Sequence, residues 1–282
     1  MQHTLAEPFT LSGVTLHQGV HTCVCVLPAP ANHGRVFTRV DLPDMPRVPA
    51  RAIHVRTTTL STELAEGQAA VRTVEHLLAA LYGMGIDNCS IEVDGPELPI
   101  LDGSARLYTE AIRRSGRVAQ QTRQPVLKIS EPVTVLSGDR SVIALPTSES
   151  GLRLSYAIDF AHAEIGSQWY SLRLEPEVFA SEVAPARTFT LLEQVEYLRA
   201  RGLIQGGSLE CALVLGPQGW LTPPAWPNEP VRHKLLDLVG DLSLTGLQLE
   251  GHIIAYKAGH DLHSQLAGQL IEQYERNYAS LR

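Results

Sequence analysis

The stretch from residue 71 to residue 83, VRTVEHLLAALYG, constrains the fold more than any other part of the sequence. Its apolar residues predict a short, mostly buried helix, with Thr73 as N-cap, Glu75 on the first turn and Gly83 at the C-terminal cap. Adjacent Glu75 and His76 in a buried helix need partners, because burying polar groups alone is costly. One interpretation is a metal bound by His76, with Glu75 handling a proton beside it. The other is a capping carboxylate next to a core histidine.

Length and charge limit the classes of protein that fit. A chain of 282 residues is long enough for two domains. The formal net charge of -7 argues against a nucleic-acid partner, because such proteins usually carry a basic excess. Four cysteines without a C-x-x-C pair are too sparse for a disulfide scaffold. Neither a signal-peptide pattern nor an apolar run of transmembrane length is present, so we expect a soluble cytoplasmic protein with no transmembrane segment.

The first half of the sequence predicts a sheet with helices. Residues 9–42 have the pattern of antiparallel strands, and residues 88–93 alternate as a further strand. Ser104 is expected to cap a helix that runs to about Ser115. Between the strands, His17 stands among glycines and is a candidate site residue, although a histidine in a surface turn is more common. This half is therefore predicted to be α+β.

A polar stretch at residues 116–125, GRVAQQTRQP, marks the predicted domain boundary. It divides the chain into an N-terminal α+β domain, 1–118, and a C-terminal α+β domain, 119–282. The second domain begins with strands. A helix at 191–201, followed by strand and turn at 203–215, then predicts a small βαβ unit.

A second helix, predicted over residues 231–242, carries three polar side chains on one face. His233, Asp237 and Asp241 lie at i, i+4 and i+8, and residues with this spacing share one side of a helix. A histidine and an aspartate one turn apart suit a single metal ion. A solvated helix face is at least as common for this spacing alone.

The two helices together allow a metal centre, which two separate half-sites favour only modestly over a core histidine and a solvated helix face. His76, His233 and Asp237 would supply two nitrogen ligands and one oxygen ligand and leave a fourth position for water, as in catalytic zinc sites. The H-E-x-x-H pattern of zinc proteases is absent. Further along, His260 follows a glycine at the end of a predicted strand, where it is either a proton donor or a surface residue.

Eight short motifs occur in an order that resembles one enzyme family. They are TVEH at 73–76, GIDN at 85–88, LDGSA at 101–105, ARTF at 186–189, GGS at 206–208, VRHK at 231–234, GDL at 240–242 and KAGH at 257–260. Over nearly its whole length the chain resembles the zinc-dependent UDP-3-O-acyl-N-acetylglucosamine deacetylases of lipid A biosynthesis. The resemblance implies a hydrolase that removes the N-acetyl group of a UDP-linked acylated glucosamine, the committed step of lipid A (lipopolysaccharide) biosynthesis.

The resemblance also implies a fold and a set of catalytic roles. The fold is two α+β domains of similar topology, each a β-sheet packed with helices, with the active site between them and a small βαβ insert in the second domain. Glu75 takes the position of the general base, and His260 that of a protonated imidazole that protonates the leaving amine. Asp241 keeps His260 charged, and Thr188 hydrogen-bonds the developing oxyanion. The implied metal ligands, for Zn²⁺ or alternatively Fe²⁺, are His76, His233 and Asp237.

Contacts with the substrate follow from the same resemblance. Lys234 and Lys257 match positions at or near the diphosphate. Phe160 matches an aromatic residue that packs on the uracil, and Phe189 lies beside the sugar. The βαβ unit around residues 198–215 matches the passage for the fatty acyl chain. We expect a monomer.

Three segments depart from the family pattern. Asn228-Glu229-Pro230 replaces an acidic pair and an aromatic residue before the second helix, after an unusual Pro-rich run. Val20 replaces a lysine, and His263 stands where an asparagine is usual. These departures are expected to affect acyl-chain preference and loop closure more than the chemistry.

Two other functions remain open from the sequence. A zinc amidohydrolase of the same family, acting on a different N-acylated sugar or nucleotide, would keep the metal ligands but change the substrate contacts. A catalytically silent protein that binds a nucleotide sugar would need neither base nor acid. The presence of Glu75, Asp241 and His260 together argues against the silent protein.

Overall fold

The first half of the chain folds as a β-sheet with helices on it. The computed structural model describes residues 1–279. The elements of this half are β1 (His3–Leu5), β2 (Phe9–Val14), β3 (His21–Pro28), β4 (Arg35–Arg39), β5 (Arg47–Pro49), β6 (Val55–Thr57), β7 (Glu63–Glu66), β8 (Ala69–Arg72), α1 (Glu75–Gly83), β9 (Cys89–Val93), α2 (Arg106–Ser115) and β10 (Arg117–Ala119). The larger sheet has the order β2-β3-β9-β4-β5, in which only β4 and β9 run parallel. In β3 the alternate residues Thr22, Val24 and Val26 are buried, so one face of the sheet turns to the core.

The second half repeats the combination of sheet and helices. Its elements are β11 (Val126–Lys128), β12 (Val133–Ser137), β13 (Arg140–Leu145), β14 (Leu152–Asp159), β15 (Ser167–Arg173), α3 (Pro176–Val178), β16 (Phe189–Leu191), α4 (Leu192–Ala200), β17 (Leu213–Gly216), β18 (Gly219–Trp220), α5 (Glu229–Leu242), β19 (Gln248–Tyr256) and α6 (His260–Ala279). The main sheet has the order β12-β13-β19-β14-β15. β19 is its central strand and leads directly into the turn before His260.

Helices fill the space between the two sheets. α2 lies on β2, α1 contacts α2 and α5, and α5 and α6 lie on the second sheet. At the contact of α1 with α5, a Cβ on Gly240 would overlap the carbonyl oxygen of Glu75. The glycine therefore allows the backbones of the two helices to approach closely enough for their polar side chains to meet.

The second half also contains a small three-stranded sheet, β16-β17-β18. β16 and β17 pair in parallel and α4 connects them, which confirms the predicted βαβ unit. The predicted strand and turn over residues 203–215 is mostly turn, and strand pairing begins only at Leu213.

The predicted α+β class is confirmed. The helix predicted over 231–242 begins two residues earlier, with Glu229 and Pro230 in its first turn, where proline is well tolerated. The division into domains at residues 118 and 119 stays a prediction. Within residues 1–279, no helix combines the length and apolar character needed to cross a membrane.

Candidate active site

The first turn of α1 holds Glu75 and His76, and both side chains are buried. Thr73 does not cap this helix, contrary to the sequence prediction. Its backbone is left-handed, with a φ of 57°, and its hydroxyl donates to Glu97 Oε1 at 2.9 Å. The side chain therefore points away from the helix end, and its bond to buried Glu97 holds the turn that leads into Glu75.

The matching half of the site lies on α5. His233 and Asp237 are one turn apart, as their spacing predicted, and both are buried, so the alternative of a solvated helix face is wrong. His233 Nδ1 donates to the carbonyl oxygen of Ala186 at 3.0 Å. That bond fixes the proton on Nδ1, so the lone pair of Nε2 is directed into the site.

The structure brings the three predicted metal ligands together. Asp237 Oδ1 lies 3.8 Å from His76 Nε2 and 3.4 Å from His233 Nε2. The ligand atoms of the three residues lie within 4.8 Å of one another.

The charge state of these three residues suits a metal. Burial, reinforced by His233, lowers the pKa of His76 to about 3, so its ring is neutral. Burial by itself would raise the pKa of Asp237, but the positive charges of Lys234 and His260 outweigh it and hold that pKa well below its ordinary value. Two neutral imidazoles and one carboxylate fit a divalent transition metal with an open coordination position.

Glu75 lies beside these three residues, and the pKa of its carboxyl group is unusually high. Burial, with Asp237 and Asp241 nearby, raises its pKa to about 7, although His260 opposes the shift. Its Oε2 accepts the backbone N–H of Thr62 at 3.0 Å, which fixes the carboxyl group. A carboxyl group with a pKa near neutrality is suited to accept and release a proton.

His260 faces Glu75 across the site, with 3.9 Å between Nε2 and Glu75 Oε1. Its Nδ1 donates to Asp241 Oδ2 at 2.7 Å. Burial alone would lower the pKa of His260, but Asp241, Asp237 and Glu75 outweigh it and raise that pKa to about 10. His260 is therefore a buried imidazolium with one N–H directed at the metal-ligand set, since Nε2 lies 4.0 Å from Asp237 Oδ2.

A cavity of about 770 Å³ opens from His260. Thr188, Phe189 and Lys234 line its polar end. Lys234 Nζ donates to Asp237 Oδ2 at 2.9 Å and lies 5.8 Å from the centre of the Phe189 ring. The other end runs under the βαβ unit, and its apolar lining includes Leu192, Val195, Leu198, Ile204, Val214 and Leu221.

Three other predicted residues lie at or outside the edge of this cavity. Phe160 packs edge-on against Phe189 with 5.5 Å between ring centres. Lys257 pairs with Asp139 at the surface. His17 lines the cavity and is 1% exposed, so the interpretation of His17 as a surface-turn histidine is wrong.

Two sets of contacts within the site were not predicted from the sequence. Thr62 bonds both halves of the site, because its N–H donates to Glu75 and its hydroxyl donates to Asp241 Oδ1 at 2.6 Å. His263, one turn after His260, also donates to Asp241. For Thr62 the only signal in the sequence was the hydroxyl-rich run TTTLST at residues 57–62. For His263 it was the departure from the family pattern, and the structure shows a site contact at that position.

Known proteins of one family match this chain along nearly its whole length. The family model described as UDP-3-O-acyl N-acetylglycosamine deacetylase matches residues 2–272. The UDP-3-O-acyl-N-acetylglucosamine deacetylase of Nostoc sp. (strain PCC 7120) is 55% identical over 276 residues, which cover 96% of this chain and 98% of that protein. The proteins of the same name from Synechocystis sp. (strain PCC 6803) and Myxococcus xanthus are 49% and 43% identical, over 97% and 96% of this chain and 100% and 86% of their own lengths. Because the family model spans nearly the whole chain and these relatives align along almost all of it, the protein belongs to the UDP-3-O-acyl N-acetylglycosamine deacetylase family.

Proposed function

We propose that this protein hydrolyses the N-acetyl group of UDP-3-O-acyl-N-acetylglucosamine to give UDP-3-O-acyl-glucosamine and acetate. The observation that carries the proposal is the distance of 3.9 Å between a carboxyl group and an imidazolium beside three buried metal-ligand side chains. Amide hydrolysis needs a base for the attacking water and an acid for the leaving nitrogen, and this arrangement supplies both.

The metal in this proposal is Zn²⁺, with Fe²⁺ as the alternative, held by His76, His233 and Asp237. Two imidazole nitrogens and one carboxylate oxygen suit these ions and leave a position open. When bound, the ion supplies a Lewis acid for the acetyl carbonyl and for water. The family is a metalloenzyme family. The identity of the metal, Zn²⁺ or alternatively Fe²⁺, is our proposal.

Glu75 acts as the general base. It takes a proton from the water whose oxygen adds to the acetyl carbon, and the bond to the Thr62 N–H keeps its carboxylate in place during the transfer. Thr188, which lines the cavity, donates to the oxygen that gains negative charge and so lowers the barrier.

His260 acts as the general acid. Its Nε2 proton passes to the amine nitrogen as the carbon–nitrogen bond breaks, and the acetyl group departs as acetate. Asp241 maintains the imidazolium by its negative charge and by the hydrogen bond at Nδ1. The excess of negative charge around the ring makes His260 a cation before the substrate arrives.

The remaining cavity residues bind the substrate. Lys234 supplies positive charge at the polar end, where its pairing with Asp237 leaves further N–H groups for a phosphate oxygen. Phe189 lies beside the sugar, Phe160 packs on the uracil, and Lys257 serves the diphosphate. The apolar end under α4 takes the acyl chain, because burying a hydrocarbon chain there is favourable. Cytoplasmic location and a monomeric state complete the proposal.

Three substrates test the function. Acetate release should be fastest from UDP-3-O-acyl-N-acetylglucosamine and much slower from UDP-N-acetylglucosamine and from 3-O-acyl-N-acetylglucosamine, which lack the acyl chain and the nucleotide, respectively. If the first compound stays intact while another N-acyl sugar or nucleotide is hydrolysed, the protein is an amidohydrolase of different specificity. If none of them is hydrolysed by metal-loaded protein, the proposal fails.

A further inference from the structure

We propose that His263 is a positioning residue for the deacetylation, which sets the orientation of Asp241 and through it that of His260. The inference rests on the proposed function for its kinetic consequence.

Asp241 receives three hydrogen bonds on two oxygen atoms. Oδ1 accepts from the Thr62 hydroxyl at 2.6 Å, and Oδ2 accepts from His260 Nδ1 at 2.7 Å and from His263 Nδ1 at 2.9 Å. Both histidines belong to α6 and stand three residues apart, so their rings approach the carboxylate from one helix face. A carboxylate held by donors on both oxygens cannot rotate without losing at least one of these bonds.

The other side of the His263 ring is also occupied. Its Nε2 lies 3.1 Å from the hydroxyl of Tyr156, which also lies 2.6 Å from the carbonyl oxygen of Ala258 and can donate its single proton to either acceptor. Ala258 lies two residues before His260, in the turn that leads from β19 into α6. His263 therefore connects Asp241 with the backbone of the turn that places His260.

A packing role alone does not account for these contacts. His263 is fully buried, at 0% exposure, and burying an imidazole is costly unless its nitrogens have partners. An aliphatic side chain would fill the same space without that cost. Both ring nitrogens meet polar partners that belong to the His260 network, which is the arrangement expected when the function of a residue is to orient its neighbours.

Two substitutions separate positioning from packing. In His263→Asn, the side-chain amide nitrogen can take the place of Nδ1 and donate to Asp241, whereas His263→Leu has no donor. With zinc-loaded protein and UDP-3-O-acyl-N-acetylglucosamine, we expect His263→Leu to lower kcat by about tenfold, the effect of losing one hydrogen bond to a charged group, with KM and zinc content unchanged. His263→Asn should recover most of that loss.

Equal kcat in the leucine variant and the wild type would overturn the proposal. So would equal losses in the two variants, or a change confined to KM. Thermal unfolding of both variants identifies any loss that comes from misfolding alone.

A proton NMR measurement, which needs no substrate turnover, tests the positioning role of His263 separately from the proposed function. In the proton NMR spectrum of the zinc-loaded protein, the Nδ1 protons that His260 and His263 share with a buried carboxylate should give two slowly exchanging downfield resonances. His263→Asn should lose one and leave the His260 resonance in place, whereas His263→Leu should shift or broaden it. An unmoved His260 resonance in His263→Leu contradicts the positioning role, whether or not the wild type hydrolyses this substrate.

Discussion

The two ends of the cavity are formed by different secondary-structure elements. At the metal end, Glu75, His76, His233 and Asp237 lie on α1 and α5, whose backbones touch at Gly240 in the core. At the apolar end, the lining comes from the small unit of β16, α4 and β17, and no residue of α4 is fully buried. Core packing therefore holds the side chains at the metal end, whereas the apolar end is lined by a unit that packs less deeply.

The largest effects are expected at the metal end, where two kinds of variant should behave differently. Glu75→Ala removes the base and should lower turnover by about 10²- to 10⁴-fold while zinc stays bound. His233→Ala and Asp237→Ala should lose both zinc and turnover, because each removes a ligand. Metal analysis and initial rates of the purified variants test this. Equal zinc content and equal activity in all three would contradict the assignment.

A smaller effect is expected where α1 and α5 touch. In Gly240→Ala the added Cβ would press on the carbonyl oxygen of Glu75 and separate the helices. Overpacking of this kind costs about 1–3 kcal/mol in the free energy of unfolding, and zinc affinity should fall with it.

Gly268→Ala in α6 is the matched control, because a Cβ there meets no atom within 4 Å. It should stabilise the protein by about 0.5–1 kcal/mol through helix propensity. Denaturant unfolding and zinc titration compare the two variants. Equal unfolding midpoints would show that the helix contact does not hold the site.

Substitutions at the apolar end should change the preference for acyl-chain length and leave the chemistry at the metal end unaffected. Val195→Trp narrows the apolar end and should lower kcat/KM for a long-chain substrate by about tenfold, with little change for a short-chain one. Glu196→Trp, on the exposed side of the same helix, is the control. Equal losses for both chain lengths would mean that the passage and the chemistry are not separable.

The smallest difference is expected between the pH profiles of the wild type and Val195→Trp. In both, the rate should fall below the pKa of Glu75, where the base is protonated, and above the pKa of His260, where the acid is lost. These pKa values are about 7 and about 10 without metal, and a bound cation lowers both. A value of kcat/KM that keeps rising at alkaline pH would contradict the role of His260. A shift of either limb of the pH profile in Val195→Trp would contradict the independence of the two ends.

Local patterns predicted the helices and the shared helix face of His233 and Asp237. The i, i+4 spacing of His233 and Asp237 is a property of one helix, and in the structure both residues lie one turn apart on α5. The parallel pairing of β16 with β17 also followed from the order of strand, helix and strand. The residue types alone suggested that His76 joins these two residues, and the resemblance strengthened that hypothesis, because no local rule places α1 against α5.

The missed contacts depend on tertiary structure. Thr62 reaches Asp241, 179 residues further along the chain, from an irregular segment without a recognisable pattern. Thr73 has the residue type of an N-cap, yet the buried carboxylate of Glu97 takes its hydroxyl and the backbone turns left-handed. A propensity describes what a residue does without competing partners, and both residues have such partners in the core.

The most direct test of the account is acetate release from UDP-3-O-acyl-N-acetylglucosamine by the purified protein, before metal removal, after it and after zinc is restored. We predict that activity disappears with the metal and returns in proportion to the zinc bound, up to one ion per chain. Undiminished activity in metal-free protein, or stoichiometric zinc binding without hydrolysis of this substrate, would contradict the assignment.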